Sequence, residues 1–284
     1  MNDLFDTANF QNSYSGVVEK MLNRQQNPIQ YQFVIGQSNI PLNALIGKEI
    51  RLSHQGVIRC LHCKKQINKS YGQGYCYDHF MQLASNDSCM MSPEKCHFEQ
   101  GTCRDNRFAE SVCNQGHYVY LANTSEVKVG ITRSSQIPTR WMDQGAKQAM
   151  VIARVSTRHL AGCVEVIFKQ FIADKTNWRN MLKGDAQLMD LNAIRDECLF
   201  KSREQVQSLQ EKYGLVAIQM FEHGEVVEFN FPVNQYPEKI TSLNLDKNPE
   251  IQGCLKGIKG QYLIFDTGVI NIRKYSGYEL TIEY

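Results

Sequence analysis

The chain has 284 residues, of which 42% are hydrophobic and 21% charged, and its formal net charge is +2. That balance belongs to a folded, soluble protein and excludes a disordered chain or a uniformly basic one, so any affinity for nucleic acid has to come from a local patch. No apolar run approaches the roughly 18 residues of a membrane span, and the opening Met1-Asn2-Asp3-Leu4-Phe5-Asp6 lacks the basic-then-apolar order of a secretory signal; the expected location is the cytoplasm, with no membrane partner.

In chain order, Tyr31-Gln32-Phe33-Val34-Ile35 and Glu49-Ile50-Arg51-Leu52 have strand character, with a turn-rich stretch from Gly36 to Gly47 between them. Cysteines then crowd into one segment. A reducing compartment disfavours stable disulfides, so the clustering asks for another explanation. Cys60-x-x-Cys63 is followed by Cys76-x-x-His79. Each pair forms a knuckle that aims two side chains at one ion, and two knuckles complete a tetrahedral zinc site. Gly72 and Gly74 permit a tight hairpin turn between them, and the residues from Tyr77 to Leu83 can start a short helix carrying His79.

Cys89, Cys96, Cys103 and Cys113 follow at looser spacing, with His97 and His117 as competing ligands. The expected arrangement is a second, four-cysteine zinc site. In both places zinc stands in for a core that this polar, Gly-containing stretch cannot build. Cys163, Cys198 and Cys254 lie apart in apolar surroundings and read as ordinary buried thiols.

Beyond Cys113, His117-Tyr118-Val119-Tyr120-Leu121-Ala122 and Val127-Lys128-Val129-Gly130-Ile131-Thr132 flank a short turn and predict a hairpin. Leu160, Val164, Ile167, Phe168 and Phe171 recur at helical spacing. A further helix is predicted from Ser202, with Gln205 as capping-box partner, to Gly214. Strand patterns then return at 216–221, 226–229, 262–265, 269–272 and 280–282.

The hairpin motifs Tyr118-Val119-Tyr120 and Lys128-Val129-Gly130 resemble the two signature strands of GIY-YIG nucleases. Arg140 and Glu165 fall where those enzymes carry a first-helix arginine and a metal-binding glutamate. Val129 stands in place of the second signature tyrosine, and Gln144 where many members have a histidine. The resemblance covers roughly residues 117 to 185. The longer run from Cys60 to Trp178 resembles an uncharacterised, zinc-bearing family of microbial proteins defined by a domain of unknown function. It does so through Cys96-His97-Phe98, Gly101-Thr102-Cys103-Arg104, Asp143-Gln144-Gly145-Ala146 and Asp174-Lys175-Thr176-Asn177-Trp178.

The first resemblance implies a phosphodiesterase site. Tyr120, helped by Tyr118, would position or deprotonate water. Arg140 would meet the phosphate charge, Gln144 would orient water, and Glu165 would hold Mg2+ or Mn2+. Gly130 would let the backbone approach substrate. Lys64, Lys65, Lys128 and Arg133 are candidate contacts to DNA or RNA, beside Arg59, Lys69, Arg104 and Arg107, with Tyr71 and Tyr75 as candidates to stack on bases.

The expected fold is α+β in four parts: N-terminal strands over 1–58, a double zinc module over 59–116, a GIY-YIG-like α/β core over 117–200, and a helix plus β-rich region over 201–284. The last could close a small barrel with the N-terminal strands. Two other functions fit the same residues, a zinc-dependent nucleic-acid-binding module without catalysis and a protein-interaction scaffold.

Overall fold

A computed structural model of the protein describes residues 10–284. In chain order it comprises β1 (Ser13–Val17), β2 (Leu22–Arg24), β3 (Gln30–Ile35), β4 (Ser38–Pro41), β5 (Glu49–Arg59), β6 (Gln66–Ile67) and α1 (Tyr77–Gln82). Short helical turns lead through α2 (Asn106–Phe108) to the hairpin β7 (His117–Asn123) and β8 (Val127–Arg133). There follow α3 (Thr139–Asp143), β9 (Gln148–Val155), α4 (Arg158–Phe168), α5 (Trp178–Met181) and α6 (Leu191–Tyr213). The remaining strands are β10 (Ile218–Met220), β11 (Val227–Glu228), β12 (Glu250–Lys259), β13 (Tyr262–Phe265), β14 (Val269–Asn271) and β15 (Tyr278–Glu283). The class is α+β, dominated by sheet. No helix among the described residues is long and apolar enough to cross a membrane.

The chain forms two compact units. One takes in the described residues from 10 to 77 and resumes at Phe231, and the other spans Asp78–Asn230.

In the first unit β1-β15-β5-β12-β13-β14 form one antiparallel sheet, with β6 on β5, and β2-β3-β4 form a separate one. The N-terminal strands do pair with the C-terminal ones: Leu52 of β5 stands opposite Ile251 of β12 and Ile282 of β15. The barrel is not formed. Among the described residues the end strands β1 and β14 do not pair, and the sheet stays open. Within β12, Gly253 and Gly257 are there because neighbours press close: a Cβ on Gly257 would lie 2.6 Å from the Val233 backbone.

The second unit is built on β10-β9-β7-β8, with β11 also on β9. Its core gathers Val119, Leu121 and Val129 from the hairpin, Met150, Ile152 and Val155 from β9, Leu160, Val164 and Phe168 from α4, and Leu191, Cys198 and Val206 from α6. Each such side chain contributes roughly 1.5–3 kcal/mol by leaving water.

Thr157 caps α4 by accepting the Leu160 N–H at 3.2 Å. Gly162 lets the helix press against Pro93 and Glu94, where a Cβ would come within 2.6 Å of the Glu94 nitrogen. The helix predicted from Ser202 begins much earlier, at Leu191, capped by Asp190. Ser202 is a buried residue within it whose hydroxyl donates to the Cys198 carbonyl at 2.7 Å, so its capping chemistry is turned inward onto the preceding turn.

Candidate functional site

The knuckle residues meet as their spacing requires. Lys64 adopts a positive φ of 61° while its N–H bonds the Cys60 carbonyl at 2.8 Å, which folds Cys60 and Cys63 onto one side. Tyr71 and Tyr75 exchange two backbone hydrogen bonds of 2.9 Å, and the hairpin they close returns the chain to Cys76. His79 follows on α1. The ligand atoms of Cys60, Cys63, Cys76 and His79 all lie within 4.8 Å of one another, close enough to share one metal ion. Burial pushes the Cys60 thiol up, but the N–H groups of Cys63, Cys76 and His62 outweigh it and hold the pKa at about 6. Lys64 and Lys65 are exposed on this knuckle. Lys69 lies over the Tyr71 ring at 5.1 Å, and the Tyr77 ring meets Tyr71 edge-on at 5.5 Å, so Tyr71 already has aromatic and cationic company.

The second group differs from the four-cysteine set. Among the described residues the ligand atoms that come within 4.8 Å of one another are those of Asp87, Cys89 and His97. Cys96, Cys103 and Cys113 are not part of that mutually close set. Their charges still bear on Cys89, whose thiol burial, Asp87 and these neighbours together push up to about 11. The segment runs through successive 3-10 turns at 84–86, 88–90, 93–95 and 98–100. Asp87 also accepts Arg104 Nε at 2.8 Å and faces His97 Nε2 at 3.5 Å, while His97 Nδ1 meets Thr102 Oγ1 at 2.8 Å. All ten cysteines are free of disulfides.

The third cluster forms where the hairpin meets α3 and α4. Tyr120 stands opposite Gly130 in the β7–β8 register, and a Cβ there would lie 2.6 Å from the Tyr120 hydroxyl oxygen. Gly130 therefore makes room for the tyrosine ring rather than for substrate. The ring is fully buried, packed edge-on against Trp141 at 5.9 Å, and its hydroxyl donates to Gln144 Oε1 at 3.0 Å. Burial raises its pKa, opposed by the charge and hydrogen bonding of Arg140 and by Gln144. A phenol enclosed in this way is withdrawn from solvent, so direct deprotonation of water by Tyr120 is set aside. Tyr118, half-buried and opposite Thr132, takes no part in the Tyr120–Gln144 bond. Val129 belongs to the core.

Glu165 faces inward, with 9% exposure. It is no solvated surface carboxylate. Lys169 Nζ lies 3.5 Å from it and 3.3 Å from Asp174, and burial raises the Glu165 pKa against the pull of Lys169. Lys128, taken from sequence as a nucleic-acid contact, is buried, and desolvation with the Arg140 charge lowers its pKa to about 8. Arg133 is half-buried at the end of β8. The charges of both Arg140 and Glu165 bear on Tyr120, on Lys128 and on Arg158. Arg158 opens α4, and the sequence reading passed it over. A single arginine after a capping threonine carries no pattern that distinguishes it from a solvated one.

No curated protein and no solved structure matches the chain. The profile of a family described as "Protein of unknown function (DUF2797)" matches residues 47–280, a span that includes both Cys/His segments and the whole Tyr120–Glu165 cluster, and the chain belongs to that family.

Proposed function

We propose that this protein is a zinc-stabilised, metal-assisted phosphodiesterase acting on nucleic acid. The observation that carries the reading is the grouping of Arg140, Gln144 and the inward-facing Glu165 about Tyr120, with the buried Lys128 under the charges of Arg140 and Glu165. These residues come from β7, β8, α3, α4 and the turn after α3.

The thiolate and imidazole donors of Cys60, Cys63, Cys76 and His79 suit zinc in a closed structural site. Asp87, Cys89 and His97 would hold a second zinc ion. Glu165, an oxygen donor, would hold Mg2+ or Mn2+, which would supply positive charge to a phosphoryl oxygen. The half-buried Arg140 presents its donors to the same oxygens as negative charge develops in the transition state. Gln144 is fixed through its oxygen by the Tyr120 hydroxyl, so its amide N–H group is left to orient a water or a phosphate oxygen. Tyr120 is thus a positioning residue that acts through Gln144.

The test is incubation of purified chain with mixed DNA and RNA in Mn2+ or Mg2+. Cleavage that Glu165→Gln abolishes supports the reading. Binding without cleavage in either metal would favour a second reading, a nucleic-acid-binding module without catalysis. One specific observation supports that alternative: with Tyr120 enclosed and Val129 in the core, neither signature position offers a group that can take a proton from water.

A further inference from the structure

Two guanidinium nitrogens in the second unit are out of water with no hydrogen-bond partner: Nε of Arg140 and Nε of Arg158. An N–H withdrawn from water and left unpaired costs roughly 1–3 kcal/mol, and folded proteins keep few of them. Here there are two, on side chains of the same sign whose charges oppose one another. Lys128 adds a third cation under the same field. The Glu165 carboxylate does not resolve this. Glu165 is engaged by Lys169 at 3.5 Å, and among the described residues no carboxylate forms an ion pair with either arginine. Both arginines therefore lack an acceptor at Nε and a carboxylate partner.

Arg158 is held there deliberately. One terminal nitrogen donates to the Met90 carbonyl at 2.8 Å, and the neighbouring His159 Nδ1 lies 3.3 Å from the Pro93 carbonyl. Gly162, one turn on, presses against Pro93 and Glu94. The first turn of α4 is thus seated on the segment after Cys89, and Arg158 is fixed through one nitrogen while the Nε edge of its fork stays unused.

We propose that Arg158 is a second phosphate-contact residue, clamping one phosphoryl group together with Arg140. This inference rests on the reading of the cluster as a phosphate-processing site. Two guanidinium forks match the several oxygens of a tetrahedral phosphate and supply the acceptors that both Nε–H groups lack. The rival role for Arg158 is as counter-charge to the thiols of Cys113 and Cys89, whose charges also bear on it. That role predicts a change in metal content rather than in phosphate affinity.

Inorganic phosphate is titrated into the full-length protein while the arginine Nε–H resonances are followed by 15N NMR, with R140K and R158K each deleting one signal for assignment. Both signals should move with one common dissociation constant. R158M should weaken phosphate binding by about tenfold, the scale of one lost charge-assisted hydrogen bond, with metal content unchanged. Should R158M fail to fold, R158K keeps the charge but not the fork and must still bind phosphate more weakly than wild type. A stationary Arg158 signal, unchanged phosphate affinity in R158M or R158K, or metal loss with affinity retained would overturn the assignment. Cleavage is measured in parallel. Mn2+-dependent cleavage that Glu165→Gln abolishes and R158M spares refutes the clamp while keeping the phosphodiesterase. Phosphate held by both arginines with no cleavage of any nucleic acid supports the clamp and refutes the phosphodiesterase.

Discussion

The stretch from Cys60 to His79 and the stretch from His117 to Phe168 reach order by opposite means. In the first only Cys60 and Gly74 are fully buried, and most side chains are half or wholly exposed. Its order rests on a hairpin, two left-handed non-glycine residues, Lys64 and Gln73, and four converging Cys and His side chains that could share a metal ion. The second is rich in buried Val, Leu, Ile, Met and Phe and needs no metal to hold together. It can therefore carry the cost of burying Tyr120, Lys128, Glu165 and His117. Where apolar surface is scarce, chemistry makes the fold; where it is ample, the fold carries the chemistry.

Metal removal gives the largest expected effect. Structural zinc contributes on the order of 10 kcal/mol in small metal-folded modules, so Cys60→Ser should lose one ion per chain and expose the Lys64–Tyr75 segment to hydrogen exchange, while the amides of β7 and α4 stay protected. Elemental analysis and exchange mass spectrometry read both. The second group is judged by the same assay: His97→Ala should lose an ion that Cys103→Ser retains, and the reverse result restores the four-cysteine site.

Next comes Phe168→Ala, which opens a cavity in the core and should cost about 3–5 kcal/mol in the unfolding transition of the second unit, with zinc content unchanged. Zinc loss on this substitution would break the contrast between the two stretches.

His117 tests the buried polar load. Its Nδ1 lies 2.7 Å from the Gln115 carbonyl, and burial, with smaller contributions from Arg158 and Arg133, lowers its pKa to about 4. Because the folded value lies below the ordinary one, the unfolded chain binds the extra proton first. Stability is full above about pH 6.5 and falls as pH drops towards 4, by at most about 3 kcal/mol. The difference between wild type and His117→Phe in chemical denaturation should shrink across that window. A pH-independent difference would count against a buried neutral imidazole.

The smallest effect is Gly130→Ala, which pushes a methyl group onto the Tyr120 hydroxyl and should cost about 1–3 kcal/mol. If the Tyr120–Gln144 bond positions Gln144 for catalysis, this substitution also lowers kcat more than it raises KM.

The parts that were legible from sequence are those whose geometry is local. A Cys-x-x-Cys pair writes its turn into four residues, and the β7–β8 hairpin announces itself by two alternating runs around a short turn. β9 gave no such signal, since Gln148-Ala149-Met150-Val151-Ile152-Ala153 is covered on both faces and does not alternate. β12 was hidden by Gly253 and Gly257, whose reason for being glycine lies in Asp266, Thr267 and Val233, residues distant in sequence or in a neighbouring turn. Ser202 imitated a helix start because a hydroxyl that bonds its own preceding turn looks, in sequence, like one that caps. In the site, Arg140 and Glu165 were found through a resemblance. Arg158 and the Asp87–Cys89–His97 group depend on how distant turns stack, which no spacing encodes.

The split of the first unit has a consequence for synthesis. Arg51 on β5 bonds Glu283 on β15 at a separation of 232 residues, and β5 lies between β15 and β12 in the sheet. A ribosome adding about 5–20 residues per second leaves β5 without its partners for roughly 10–50 s. The second unit, contiguous in the chain, emerges whole during that interval. Until β12 and β15 arrive, β5 is paired only with the two residues of β6, and the rest of its length is an open edge of the kind that recruits foreign strands, so the nascent chain has a built-in window in which it depends on chaperones.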